Sequence, residues 1–281
     1  MYLDHHDVCR AFGEDEFFPF FQPLVELSSR RLTGFEALAR WNHSLLGAIS
    51  PDAFIPIVQK SGFINSLTRK LLEKTFAVTP LLPGLLRLSI NLSPFQLADE
   101  TLPGQIAAVA ERGGFLLDRL TVEMTQSALI DDLPSAQAVA GTMKAMHCRL
   151  ALDDFGTGHS SLFHLQALPF DELKIDRSFI HAISNNRDCR KIVSALINLA
   201  KSMELITVAE GVETEEQAGI MSDMGCDLAQ GWLFGKPASA EEIPRMIAEV
   251  SANSRALQPT LAEIVSIDAK GGCASVRCAT A

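Results

Sequence analysis

Glu36, Glu123, Asp153, Asp154 and Glu210 are carboxylates, and Asn91 adds an amide carbonyl. Such oxygen-only donors select hard divalent cations, Mg²⁺ or Mn²⁺, over zinc. Two such ions about 3.5–4 Å apart are the usual device for hydrolysing a phosphodiester. Lys174, lying between these residues in the chain, adds a fixed positive charge for the same transition state. Each group alone also has a plain structural reading. Glu36 fits a rim ion pair, and Asn91, ahead of Ser93 and Pro94, fits a helix cap. Asp153 and Asp154, ahead of Phe155 and Gly156, fit a turn, and Lys174 fits a partner for Asp176. Five carboxylates converging on one place are different, because they repel unless cations or protons neutralise them. What decides is whether the fold brings them together.

Strand-like and helix-like segments alternate along most of the chain. Phe17 to Leu27 and Leu32 to Trp41 read as strands joined by the polar turn Ser28 to Arg31, a connection short enough to require an antiparallel hairpin. Pro51 to Phe76 carries helical spacing. Strands then follow at Leu85 to Leu92, Leu120 to Thr125, Arg149 to Phe155, Glu172 to Asp176, Ile206 to Gly211 and Leu228 to Phe234. Helices are expected at Pro94 to Gly113, Pro134 to Met146, behind Phe155, and at Asp188 to Met203, Glu215 to Met224 and Ala240 to Val250. Such alternation means parallel strands with crossover helices. The fold class expected is α/β: a (β/α)₈ TIM-type barrel whose first strand is antiparallel. Glu36 then falls in the second strand, Asn91 in the third, Glu123 in the fourth, Asp153 and Asp154 in the fifth, Lys174 in the sixth, Glu210 in the seventh and Gln230 in the eighth. Most lie near the C-terminal strand ends, where barrel enzymes assemble their sites. Residues 1–250 are read as this one domain. Ser251 to Ala281, poor in aromatics and rich in small residues, is read as a mostly disordered tail with one amphipathic turn at Leu261 to Ile267.

The chain has 281 residues and a net charge of -10, which argues against a basic face for duplex nucleic acid. An anionic substrate stays compatible with that charge if bound cations invert it locally. Six scattered cysteines without a Cys-x-x-Cys pair argue against zinc and a disulfide framework, and suit reduced thiols in the cytoplasm. Asp4, His5, His6 and Asp7 stand where a signal peptide needs an apolar run, and no stretch is clean enough to span a bilayer.

The motifs together resemble those of the EAL-domain cyclic-di-GMP phosphodiesterases. The resemblance rests on Phe35 to Trp41, which contains Glu36-Ala37-Leu38, and on further matches in the family's order. These are Phe21 to Val25, Phe54 to Pro56, Ile90 to Ser93, Asp153 to Gly158, Leu173 to Ile180, Ala209 to Thr214, Gly225 to Asp227, and Gln230 with Gly231. It covers about Asp7 to Val250 and implies hydrolysis of one phosphodiester of cyclic di-GMP to linear pGpG, lowering this bacterial second messenger. It further implies that Glu36, Asn91, Glu123 and Asp153 hold one metal, and that Asp153 bridges to a second near Asp154 and Glu210. Lys174 and Glu210 would orient the attacking water, and Glu36 counts with them as catalytic. Arg40 resembles the family's substrate-contacting arginine, Gln22 and Gln230 resemble residues of the same pocket, and Glu213 resembles a residue behind the ligands, with Asp176 steadying Lys174. The implied cofactors are two divalent cations, Mg²⁺ or Mn²⁺, with Ca²⁺ inhibitory, and the implied assembly is a homodimer. Gln59, Gln126 and His159 depart from the family's usual Glu, Glu and Tyr. In the family the glutamate at the Gln126 position anchors the loop after the fifth strand, so this departure bears on rate and regulation. The competing reading is a degenerate domain that binds cyclic di-GMP or a protein without turnover.

Overall fold

The computed structural model describes residues 3–125, 133–156 and 162–257. Gln126, His159 and the segment 258–281, which includes the expected turn at Leu261 to Ile267, lie outside the described residues.

Strands β1 (Phe17–Glu26), β2 (Leu32–His43), β4 (Arg87–Leu92), β5 (Leu120–Thr125), β6 (Arg149–Phe155), β7 (Glu172–Ile175), β8 (Ile206–Ala209) and β9 (Leu228–Gln230) form a closed barrel. The short β3 (Gly47–Ile49) pairs with the protruding end of β2. β1 runs antiparallel to both neighbours, and every pair from β2–β4 round to β8–β9 is parallel. The barrel with an antiparallel first strand is therefore as expected. Outside it pack α1 (His5–Gly13), α2 (Pro51–Lys60), α3 (Ile64–Phe76), α4 (Leu102–Arg112), α5 (Leu133–Ala145), α6 (Leu162–Ala167), α7 (Arg177–Ala182), α8 (Arg187–Ser202), α9 (Glu215–Asp223) and α10 (Ile243–Leu257). The main core lies between strands and helices, and includes Leu88, Leu120, Val122, Leu150, Leu152 and Leu173, all fully buried.

Several boundaries differ from expectation, among them β9, which ends at Gln230 and not at Phe234. The run Pro51 to Phe76 is two helices, because Gly62 adopts a φ of 75° between them, a conformation that ends a helix. Pro94 to Gly113 divides into a 3₁₀ turn at Pro94–Ala98 and α4. The last helix passes Val250 and ends at Leu257, with the Ser254 hydroxyl donating to the carbonyl of Ser29.

Strand alternation sorts side chains into an outer set and a lumen set. At the N-terminal end of the lumen Glu172 is buried within 3.7 Å of Arg87 and 3.5 Å of Arg149, forming a polar plug. Gly34 belongs to this end. A Cβ on Gly34 would stand 2.5 Å from the carbonyl oxygen of Arg87 on the neighbouring strand, where backbone cannot yield cheaply. Gly34→Ala is expected to destabilise the barrel by about 2 kcal/mol through overpacking. Urea denaturation followed by circular dichroism checks this, and an unchanged midpoint would contradict it.

Candidate active site

Register brings the polar residues to one level. Gln22 pairs with Glu36 across β1–β2, Leu24 with Gln230 across β1–β9, Asn91 with Glu123 across β4–β5, and Thr125 with Asp153 across β5–β6. Lys174, two residues on from the Glu172 plug, sits on the same face of β7. Glu210 follows the last residue of β8 and donates its backbone N–H to the carbonyl of Ile175.

Consecutive residues of a strand normally face opposite ways, yet Asp153 and Asp154 both serve the mouth. The β6–β7 register is interrupted between Leu152 and Phe155, and Asp154 adopts a φ of 56°. A bulge next to an active site re-aims side chains in this way, and aspartate tolerates the left-handed region better than most residues. Oxygens of Asp153, Asp154 and Glu210 lie within 4.8 Å of one another.

Lys174 stands at the centre and is 2% exposed. Its Nζ donates to Glu123, reaches Glu210 at 2.6 Å, and has Asp153 at 3.6 Å and Glu36 at 3.7 Å. Asp176 is not among its partners. Its carboxylate instead caps α7, accepting from the backbone N–H of Ser178 at 2.9 Å. The expected steadying of Lys174 by Asp176 thus gives way to a capping role, because β7 ends at Ile175 and Asp176 begins the next element.

Glu36 is held from two sides. Asn91 Nδ2 donates to its Oε1 at 2.6 Å, and Gln230 Nε2 donates to its Oε2 at 2.7 Å. Gln230 Nε2 also reaches Gln22 Oε1 at 3.0 Å, and Gln22 donates to the Gly235 carbonyl at 3.1 Å. Gln22 and Gln230 therefore line the mouth as buried groups that fix Glu36. Glu213 lies farther out, 3.7 Å from His181 on α7, with its backbone N–H bonded to Gln217. The loop carrying it needs Gly211, whose φ is 69° and where a Cβ would stand 2.5 Å from Cβ of Arg177.

The electrostatics follow from one ammonium facing four carboxylates. Burial disfavours the charged form of Lys174, but Glu123, Glu210, Glu36 and Asp153 outweigh it and hold the ammonium well above the usual lysine range. Burial pushes Glu210 up to about 8, opposed by Lys174 and reinforced by Asp153 and Glu36. Burial and the Glu36 charge push Glu123 well up, and burial with Asp153 raises Asp154. Glu36 is drawn down: burial acts against it, and Lys174, Asn91 and Gln230 prevail. The excess negative charge, all on oxygen, suits hard divalent cations.

Two adjoining clefts of about 660 and 580 Å³ open at this mouth and share Glu36, Leu38, Asp52 and Asp154. Arg40, Gln59, Asn91 and Ser93 line the second, where Gln59 Nε2 donates to the Ser93 hydroxyl at 2.8 Å. Sequence reasoning missed Leu38, Asp52, Arg177, His181 and Trp232 as lining residues. Leu38 was findable from strand alternation after Glu36, and Arg177 with His181 from helical i,i+4 spacing.

Fold and site define a (β/α)₈-type barrel with a carboxylate–lysine centre at its C-terminal mouth. The EAL domain family model matches residues 5–237, and the chain belongs to that family. A cyclic di-GMP phosphodiesterase of Escherichia coli, PdeL, is 36% identical over 82% of the chain and 65% of its own length. Among solved structures, a PaMucR phosphodiesterase in complex with c-di-GMP is 34% identical, with a TM-score of 0.80 over 85% of this chain and 98% of that one. Klebsiella pneumoniae BlrP1, in a manganese/cy-diGMP complex, is 27% identical with a TM-score of 0.70, over 79% of this chain and 56% of that one. The chain spans 29–36% of the length of the first relatives it matches. No helix among the described residues is long and apolar enough to cross a membrane.

Proposed function

We propose that this chain hydrolyses one phosphodiester of cyclic di-GMP to linear pGpG. The observation carrying this reading is the convergence of four carboxylates on buried Lys174 at the mouth of a substrate-sized cleft. Glu36, Asn91, Glu123 and Asp153 would hold one divalent cation, and Asp153, Asp154 and Glu210 a second, Mg²⁺ or Mn²⁺. When bound, these ions supply Lewis-acid polarisation of the phosphate and a nucleophile at neutral pH. Lys174 stabilises the charge developing on the phosphoryl oxygens. Glu210, beside Lys174, orients the attacking water and accepts its proton. Arg40 contacts the dinucleotide, while Gln22 and Gln230 keep Glu36 in place. Glu213 supports the Glu210 loop from behind. The working assembly is read as a cytoplasmic homodimer.

Incubation with cyclic di-GMP, followed by chromatography of the products, tests this reading. Turnover to pGpG is expected with Mg²⁺ or Mn²⁺. Loss is expected in chelator, as is inhibition by Ca²⁺, which takes longer bonds and higher coordination numbers. Undiminished hydrolysis in excess chelator would sink the two-cation account. Tight binding without turnover would leave a receptor in place of an enzyme.

A further inference from the structure

Four phenylalanines crowd the first half of β1 and are treated differently. Phe17 and Phe21 are fully buried, whereas Phe18 and Phe20 are half-buried. Pairing with β2 sets Phe18 opposite Arg40 and Phe20 opposite Leu38. Alternation therefore puts both rings on the face that carries Leu38 and Arg40, the lining of the second cleft. The Phe18 and Phe20 centroids are 5.7 Å apart, and the Arg40 guanidinium carbon lies 5.5 Å from the Phe20 centroid. This is the diagonal contact of an antiparallel pair, within reach of long side chains.

Arg40 is half-buried, its Nη1 donates to the carbonyl of Ala39 at 2.8 Å, and no carboxylate among the described residues lies in ion-pair range of it. An acidic partner would compete with an anionic ligand for the guanidinium. An aromatic face does not, because its quadrupole attracts the cation while leaving the N–H edge unclaimed. Arg40 is thus ordered by a ring and a carbonyl, with donors left for the cleft.

We infer that Phe20, buttressed by Phe18, is a positioning residue that holds Arg40 ready to meet the cyclic dinucleotide. The inference rests on the proposed function and deepens it. Preordering Arg40 reduces the cost of immobilising a flexible side chain on binding. It acts on affinity rather than on the chemical step, since neither ring belongs to the carboxylate–lysine centre.

The test is a mutant cycle in Phe20 and Arg40, with kcat and KM measured in Mg²⁺, cyclic di-GMP affinity measured by calorimetry in Ca²⁺, and melting followed by circular dichroism. Phe20→Leu is expected to raise KM and Kd about fivefold, the size of a partly desolvated cation–π contact. Its kcat should stay within about twofold of the parent. Phe20→Tyr, which keeps the ring, should restore both values. In the Arg40→Ala background Phe20→Leu should cost nothing further. A full penalty in that background, a loss confined to kcat, or failure of Phe20→Tyr to restore affinity would each overturn the inference while leaving the function intact. Absence of both binding and hydrolysis in the parent would overturn the proposed function, and this inference with it.

Discussion

Glu210→Gln is expected to lower kcat by about three orders of magnitude while leaving cyclic di-GMP affinity in Ca²⁺ within a few-fold of the parent. The change keeps the side-chain volume and removes one carboxylate oxygen from the cluster it forms with Asp153 and Asp154. It also turns the charged acceptor 2.6 Å from Lys174 into a neutral, weaker one, so on the proposed function water positioning and cation holding weaken together. On the proposed function, affinity rests mainly on the second cleft and on Arg40, whereas Glu210 lines only the first. The metal-free variant should melt no lower than the parent, because it relieves one of four carboxylates crowded round a single ammonium. Steady-state kinetics, calorimetry and a melting curve separate these effects. Parental turnover in Glu210→Gln would remove Glu210 from the chemistry, and a collapse of binding would mean that its role is structural.

Much of this site was legible because strand alternation and the βα repeat are strict. Once Glu123 and Asp153 are assigned to strands, their facing is fixed at every second residue, and β5 and β6 have the expected bounds. What stayed hidden depends on contacts between distant residues. No local signal says that Lys174 gathers Glu36, Glu123, Asp153 and Glu210, since that follows only when the barrel closes. Proximity in sequence suggests Asp176 as a partner for Lys174, whereas its place two residues before Ser178 is that of a helix cap. The bulge that turns Asp153 and Asp154 to the same mouth has no sequence mark beyond the Asp-Asp pair. Helix α1 stands outside the βα repeat, and its one local sign is the capping box that Asp4 and Asp7 form at its start. The break at Gly62 was masked by apolar spacing that continues across α2 and α3.

Glu16→Ala is expected to destabilise the protein by about 2–3 kcal/mol at neutral pH, through loss of a buried, multiply bonded carboxylate. Glu16 precedes β1 and is 7% exposed. One oxygen accepts from the indole N–H of Trp41 at 2.7 Å, and the other from the backbone N–H of Ser44 at 2.9 Å. Arg10 of α1 grips both oxygens, at 2.5 and 3.1 Å. The residue thus ties α1, the start of β1 and the β2–β3 hairpin around the cluster of Phe17, Trp41, Phe54 and Val58. The loss stays below the full cost of a broken buried pair because Arg10 retains Glu14 at 2.5 Å and reaches solvent. Burial acts to raise the Glu16 carboxyl, but Arg10, Trp41 and Ser44 outweigh it and hold it down at about 2. A carboxyl held below its ordinary value of 4.5 stabilises the fold above that value, and the contribution fades as pH falls from about 4.5 through about 2. The stability gap between parent and Glu16→Ala should therefore be constant from pH 7 to about 5 and narrow under stronger acid. Urea unfolding can be read from tryptophan fluorescence, since Trp41 is fully buried and the other tryptophan, Trp232, is 59% exposed. A gap that stays constant down to pH 3, or widens there, would show that the carboxylate charge is not what Trp41 and Arg10 hold.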